Sequence, residues 1–284
     1  MQIPSMEHRM KIKNNVIAVL AGLAVAGVAG SASATTWVFN NTNSNTSDGI
    51  NATASAWGST ANGPAGINTA LESAFLTYNG SSGLGVKNND CGSPPCTGSG
   101  DTNEGVSPEH AIDNDQRRDA VLFSFSDKVN LSSTYFGWVS GDADFSVYVY
   151  TGSGSALSAL DGATYTDAGM LAEGWQLVSH NEGGSGTNAI ASSSEIYSSY
   201  WLIGALNTTD SGDCLSYRTN GQCKTWGAIT DHFKLLKVAG TSCADNPGGN
   251  GCGGGTPGGG VPEPGTLLLM GAGFLGLTRV LRRR

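Results

Sequence analysis

The sequence predicts an all-β fold, a two-sheet, jelly-roll-like β-sandwich, for residues 35–240. First, 42 of the 284 residues are glycine, and Ser, Thr and Asn are abundant, which disfavours helix interiors and favours turns. Second, apolar and polar residues alternate at 50–56, 121–125 and 145–149, a period of two that indicates strands with one buried face. About nine or ten such strands at this spacing favour two packed sheets.

Each further strand is an apolar or alternating run bounded by turn residues. The predicted strands are 36–40, 70–78, 129–140, 175–180, 200–206 and 233–238. Helix is sparse: Ser107, Pro108 and Glu109 offer a cap, a first-turn proline and an early acid, which predicts one short helical turn. A second short helix is expected near 155–160.

The region between the two ends of the chain is acidic. The formal net charge of the whole chain is −8. Seven of the 15 basic residues and two of the 23 acidic residues lie outside 35–260, which leaves eight basic and 21 acidic residues and a net charge of −13. Such a surface repels nucleic acid phosphates, so no nucleic acid partner is expected. It suits a protein that stays soluble outside the cell or binds cations.

Residues 1–34 have the parts of a secretory signal peptide. Lys11 and Lys13 precede an uncharged run at 16–30, and Ala32 and Ala34 provide small side chains where signal peptidase cleaves. A permanent membrane helix is the alternative, and it is disfavoured because a span needs about 20 apolar residues. We therefore expect an N-terminal signal helix that is removed on export.

Three features follow one another at residues 261–284. A proline-containing motif leads into an apolar run at 265–278, and four arginines follow. Because arginines resist crossing the membrane, the preceding domain is left outside the cell. The motif residues are Val261, Pro262, Glu263 and Pro264, and the arginines are Arg279, Arg282, Arg283 and Arg284.

These three parts, in this order, resemble the PEP-CTERM sorting signal. The resemblance implies that exosortase, a membrane-embedded cysteine protease, recognises the motif. It also implies that the apolar run is a transmembrane helix and that the arginines hold the tail on the cytoplasmic side. A tail anchor that is never cleaved is the alternative. The expected location is the cell surface or the extracellular space, with transient membrane anchoring by the C-terminal helix.

A second, shorter resemblance is to the shared domain of exosortase-dependent surface proteins. It rests on residues 83–86, 107–114, 119–125 and 137–138 and covers roughly 83–152. The resemblance implies a surface domain and brings no catalytic residues.

The cysteines and glycines predict local disulfides and a linker. Residues 241–260 are rich in glycine and are expected to form a flexible linker before the sorting signal. An even number of cysteines in an exported chain favours disulfides over the metal alternative. The candidate pairs, inferred only from proximity in sequence, are Cys91 with Cys96, Cys214 with Cys223, and Cys243 with Cys252.

Closely spaced acids make Ca²⁺ the one candidate cofactor that the sequence suggests. Asp113, Asp115 and Asp119 are the candidate ligands, because hard oxygen donors in a loop bind calcium outside cells. Asp142 and Asp144 form a further pair that the loops of a sandwich can bring close. The alternative is that all are solvated loop carboxylates and caps.

No catalytic residue is predicted. His110, His180 and His232 are the histidines that remain after export, and the sequence has no G-x-S-x-G elbow. We expect a non-enzymatic structural or binding protein of the cell surface or extracellular matrix that associates with exopolysaccharide. Trp226 is the candidate exposed ring for stacking on sugars. A secreted hydrolase acting on extracellular polymer is the alternative, because Ser-His-Asp sets are recognised by geometry rather than by sequence order.

Overall fold

The computed structural model describes most of the region between the predicted terminal signals. The described residues are 34–61, 70–88, 110–115, 117–192, 194–207 and 230–252 and, for the backbone, 213–217 and 223–227. Several predictions lie outside them: the signal peptide with Ala32, the Cys91–Cys96 pair, the helical turn at 107–109, the sorting signal at 261–284, and the side chains of Cys214, Cys223 and Trp226. Among the described helices, none has the length and apolar character that crossing a membrane requires.

The described residues are mostly strand, which confirms the all-β prediction. The strands are β1 (Thr35–Val38), β2 (Ser44–Ser47), β3 (Ile50–Ala61), β4 (Ala70–Ser73), β5 (Phe75–Tyr78), β6 (Leu84–Lys87), β7 (Ile112–Asp113), β8 (Asp119–Val139), β9 (Phe145–Tyr150), β10 (Trp175–Asn181), β11 (Gly186–Ala189), β12 (Ser198–Ala205), β13 (Asp213–Tyr217), β14 (Cys223–Gly227) and β15 (His232–Ser242). The helices are α1 (Ala156–Leu160), α2 (Asp167–Ala172) and a 3₁₀ turn at Gly80–Ser82.

Thirteen of these strands form one hydrogen-bonded antiparallel sheet. Its main path runs β10-β9-β12-β8-β15-β6-β5, with β3 and β11 also paired to β8, and β1 and β7 paired to β15. Strands β13 and β14 form a separate two-stranded ribbon. The prediction of two separate sheets is not confirmed, because the 21-residue strand β8 makes the large sheet continuous.

Strand β8 exchanges its partners halfway along. Its first half pairs with β3 on one side, from Ala52 opposite Phe125 to Gly58 opposite Asp119, and with β12 on the other. Its second half pairs with β15 and β11. The three residues between the halves, Ser126, Asp127 and Lys128, are exposed. Strand β8 thus belongs to two groups of strands, one with β3 and β12 and the other with β15 and β11.

Aromatic contacts join these two groups of strands in one core. The Trp37 ring lies 4.8 Å from Phe125, and the Phe39 ring lies 5.2 Å from Phe123. Trp37 belongs to β1, which pairs with β15, whereas Phe123 and Phe125 lie in the first half of β8. Side chains on the β15 side therefore pack on those of the β3–β8–β12 side.

A second core covers the opposite face of the β8–β12–β9 region. Leu122, Tyr148 and Leu202 from these strands pack with Leu160 of α1 and Met170 of α2. The start of β8 is consequently buried on both faces, which explains why residues 119–123 are all buried instead of alternating.

Both short helices begin at a side-chain cap. Helix α1 lies where the sequence predicts it, and the Ser155 side chain accepts a hydrogen bond from the Ser158 amide. Helix α2 was not predicted. The Thr166 side chain accepts from the Gly169 amide at 3.1 Å, and Asp167 adds an acid in the first turn, where the helix dipole favours it.

The folded domain continues to Cys252, into the segment predicted as linker. Thr241 and Ser242 belong to β15, and a disulfide joins Cys243 to Cys252, as predicted. The Tyr197 amide donates to the Asn250 carbonyl at 3.1 Å. A Cβ added to Gly249 would meet the Tyr197 ring at 2.2 Å, so glycine permits this close approach. Residues 243–252 are called the disulfide loop below.

Gly204 tests the packing between β12 and the second core. A Cβ at this position would lie 2.3 Å from the Tyr165 hydroxyl and 2.7 Å from the Asp119 carbonyl. We expect Gly204→Ala to lower the free energy of unfolding by about 1–3 kcal/mol, because the buried strand cannot move away. Urea denaturation measures this change.

Gly184→Ala is the matched control for Gly204→Ala. An added Cβ there meets no atom within 4 Å, and we expect a change within about 0.5 kcal/mol. Equal stability of the two variants would contradict the described packing of β12 beneath Tyr165.

Candidate functional site

Three carboxylates converge at one end of the sheet. Asp142 follows β8, Asp144 precedes β9, and Asp231 precedes β15. One oxygen from each lies within 4.8 Å of the others. A backbone β-bridge between Asp142 and Asp231 holds together the loop after β8 and the loop before β15. Asp144 and Asp231 are buried, whereas Asp142 is half-buried.

Hydrogen bonds fix the orientation of this acidic group. The Asp231 carboxylate accepts from the Asp144 amide at 2.7 Å and from the Asn114 side-chain amide at 2.6 Å. The Asp144 carboxylate accepts from the Gly183 amide at 3.0 Å. Oxygen donors of this kind suit Ca²⁺. Because these amides already account for the arrangement, the geometry alone does not assign a metal.

The predicted calcium ligands are not the residues that the fold gathers. Asp113 lies buried in β7, where its carboxylate accepts from the Asp115 amide at 3.0 Å. Asp119 is buried at the start of β8. Within the described residues, neither these two nor Asp115 belongs to a group of three converging ligands. A metal at these three positions stays a prediction without geometric support.

His232 borders the acidic group. Its amide donates to the Asp142 carbonyl at 2.9 Å, and the residue pairs with Asp113 across β15 and β7. Burial lowers the pKa of His232 from its ordinary value of 6.5, and the charge of Asp115 partly opposes that shift. The folded protein therefore favours the neutral imidazole more than the unfolded chain does.

A serine, a histidine and an aspartate form a second polar arrangement. Ser146 and His180 face each other across β9 and β10, with Oγ 2.9 Å from Nδ1. The His180 Nε2 atom lies 3.1 Å from an Asp167 oxygen. The Tyr148 hydroxyl donates to the other Asp167 oxygen at 2.6 Å. The order resembles that of a hydrolase triad.

Burial opposes a nucleophilic role for Ser146. Its exposed fraction is 0%, and the Asn207 amide donates to its Oγ at 3.3 Å. Substrate has no access to such an oxygen in this conformation. The hydrogen bonds of Tyr148 and His180 to Asp167 tie the start of α2 to the sheet.

The sequence reveals only part of these two arrangements. Asp142 and Asp144 are recognisable as a pair, but Asp231 lies 87 positions after Asp144 and has no ligand-like spacing. Ser146 and His180 become neighbours only through the register of β9 and β10.

His232 should make stability depend on pH below 6.5. The unfolded chain takes up the proton first, so the stability from neutral His232 is complete above pH 6.5. It is lost as the pH falls towards the lower pKa of the folded protein. Urea denaturation at pH 7.5 and 5.5 should show a smaller decrease in unfolding free energy for His232→Gln than for the wild type. Equal decreases in both proteins would contradict this role.

The comparison with known families identifies the C-terminal segment. Residues 260–284 match a family model described as the PEP-CTERM protein-sorting motif. No curated protein and no solved structure matches the chain. The match includes the proline motif, the apolar run and the four arginines, which confirms the resemblance seen in the sequence. The chain thus carries a PEP-CTERM sorting signal, the mark of an exported protein that is processed by exosortase.

Proposed function

We propose that the protein is a non-enzymatic component of the cell surface or extracellular matrix that associates with exopolysaccharide. The PEP-CTERM match at residues 260–284 is the observation that supports sorting to this location. In this proposal, signal peptidase removes residues 1–34, and the C-terminal helix holds the chain in the membrane until exosortase cleaves near Pro262–Pro264.

Two features of the described domain favour an extracellular location. The Cys243–Cys252 disulfide persists in oxidising compartments. The acidic central region favours solubility. We interpret the strand groups on the two halves of β8 as the layers of a β-sandwich, because the core packs between them. Such a scaffold presents loops at both ends of its strands for binding.

A secreted hydrolase is the second candidate function. The Ser146–His180–Asp167 arrangement is the observation that favours it. The burial of Ser146 weighs against it, because a nucleophile must contact the substrate. The same burial favours a structural role for the three residues.

Replacing the motif Pro262-Glu263-Pro264 by three alanines tests sorting. Export should continue, because the signal peptide is unchanged and the four arginines still orient the chain. The uncleaved form should accumulate in the membrane fraction of an exosortase-bearing host, as measured by immunoblotting. Deletion of residues 265–284 is the control and should release the protein to the medium. Cleavage of the alanine variant as efficient as that of the wild type would refute Pro262-Glu263-Pro264 as the processing motif, and absence of cleavage in both proteins would indicate a simple tail anchor.

A panel of immobilised and soluble polysaccharides separates the two candidate functions. We expect the purified mature protein to be retained by at least one polymer without releasing oligosaccharide. Ser146→Ala should be retained equally, because the buried hydroxyl touches no ligand. Product that forms with the wild type and not with Ser146→Ala would establish the hydrolase and refute the non-enzymatic proposal.

A further inference from the structure

An open pocket lies between the sheet and the disulfide loop. Its volume is about 480 Å³, within the range of small-molecule sites, about 300–1,000 Å³. Tyr150 at the end of β9, Gln176 in β10 and Tyr200 in β12 line one side. Asn250 and Gly251 of the disulfide loop line another.

Two tyrosine rings give the pocket a fixed aromatic surface. The Tyr150 and Tyr200 rings lie 6.4 Å apart at an angle of 87°, and both residues are half-buried. The Tyr150 ring also packs 5.2 Å from the buried Trp175. Rings held in this way lose little entropy on binding, and their faces suit the C–H faces of a sugar.

The polar groups of the pocket include a single charge. Gln176, Thr151 and Asn250 offer exposed amide and hydroxyl groups. Lys128 is the one charged residue among the lining residues that the structure describes, although the region as a whole is acidic. Its Nζ donates to the Gly251 carbonyl at 2.6 Å, which positions the ammonium group and leaves two hydrogens for a ligand.

The disulfide loop forms a wall that is anchored at several points. The Asn246 side chain donates to the Tyr197 hydroxyl at 2.9 Å, and the Cys243 amide donates to the Lys128 carbonyl at 3.0 Å. The Cys243–Cys252 bond closes the loop behind Asn250 and Gly251. The shape of the pocket thus depends on this disulfide.

We propose that this pocket binds a carboxylated saccharide. Tyr150 and Tyr200 contact the sugar faces, the amides bind hydroxyl groups, and Lys128 binds the carboxylate. A carboxylate is favoured over a cationic group because none of the described lining residues is an acid and the fixed charge is positive. The identification of the source as an exopolysaccharide rests on the proposed function, whereas the site itself rests on the geometry.

Calorimetry of the mature protein with trigalacturonic acid and with neutral maltotriose tests the site. We expect Lys128→Gln to weaken binding of the acidic trisaccharide about tenfold, the effect of losing one charged hydrogen bond. Its affinity for the neutral sugar should not change. Lys237→Gln is the matched control, because this substitution also removes one positive charge. Lys237 lies over the Tyr135 ring, outside this pocket.

Two further variants test the aromatic surface and the wall. Tyr200→Leu should weaken binding of both trisaccharides, and the double variant Cys243→Ser with Cys252→Ser should weaken binding while the cores remain folded. Near-ultraviolet circular dichroism checks the fold of each variant. Absence of trigalacturonic acid binding by the wild type, or equal affinities of Lys128→Gln and Lys237→Gln, would overturn the proposal.

Different results would contradict the pocket assignment and the exopolysaccharide function. If an acidic polysaccharide of the panel retains Lys128→Gln as strongly as the wild type, the protein binds this polymer elsewhere and the pocket assignment is wrong. If trigalacturonic acid binds in a Lys128-dependent way while no polymer is retained, the pocket assignment stands and the exopolysaccharide function is wrong.

Discussion

The hydrogen bonding of β8 is the constraint on which the rest of the described fold depends. Buried backbone amides and carbonyls need partners, and β8 obtains them from β3 and β12 in its first half and from β15 and β11 in its second. This exchange of partners brings Trp37 and Phe39 over Phe125 and Phe123. A one-residue shift in register along β8 would move its buried side chains to the opposite face in both strand groups at once.

The two polar sites lie at opposite ends of β9. Asp144 immediately precedes this strand, and Tyr150 ends it. Six residues at about 3.3 Å each separate the acidic group from the pocket by roughly 20 Å. The full length of the strand therefore separates the acidic group from the aromatic side of the pocket.

Period-two alternation predicts the strands that fill the cores, because their buried faces need apolar side chains. The same reasoning divides β8 into two strands, since exposed Ser126, Asp127 and Lys128 interrupt the apolar pattern. It also misses β2 and β11, whose sequences are polar on both faces and whose pairing is set by the backbone. The pairing of Ser146 with His180 depends on register, which no local pattern in the sequence specifies.

The disulfide loop shows why composition misplaces the end of the domain. Glycine content alone predicts a flexible linker, but Gly249 allows close contact with Tyr197, and the disulfide fixes Cys252. The matched sorting segment begins at residue 260, eight positions later. Eight residues span at most about 30 Å. The chain therefore keeps Cys252, where the disulfide loop ends, within about 30 Å of the start of the matched sorting segment.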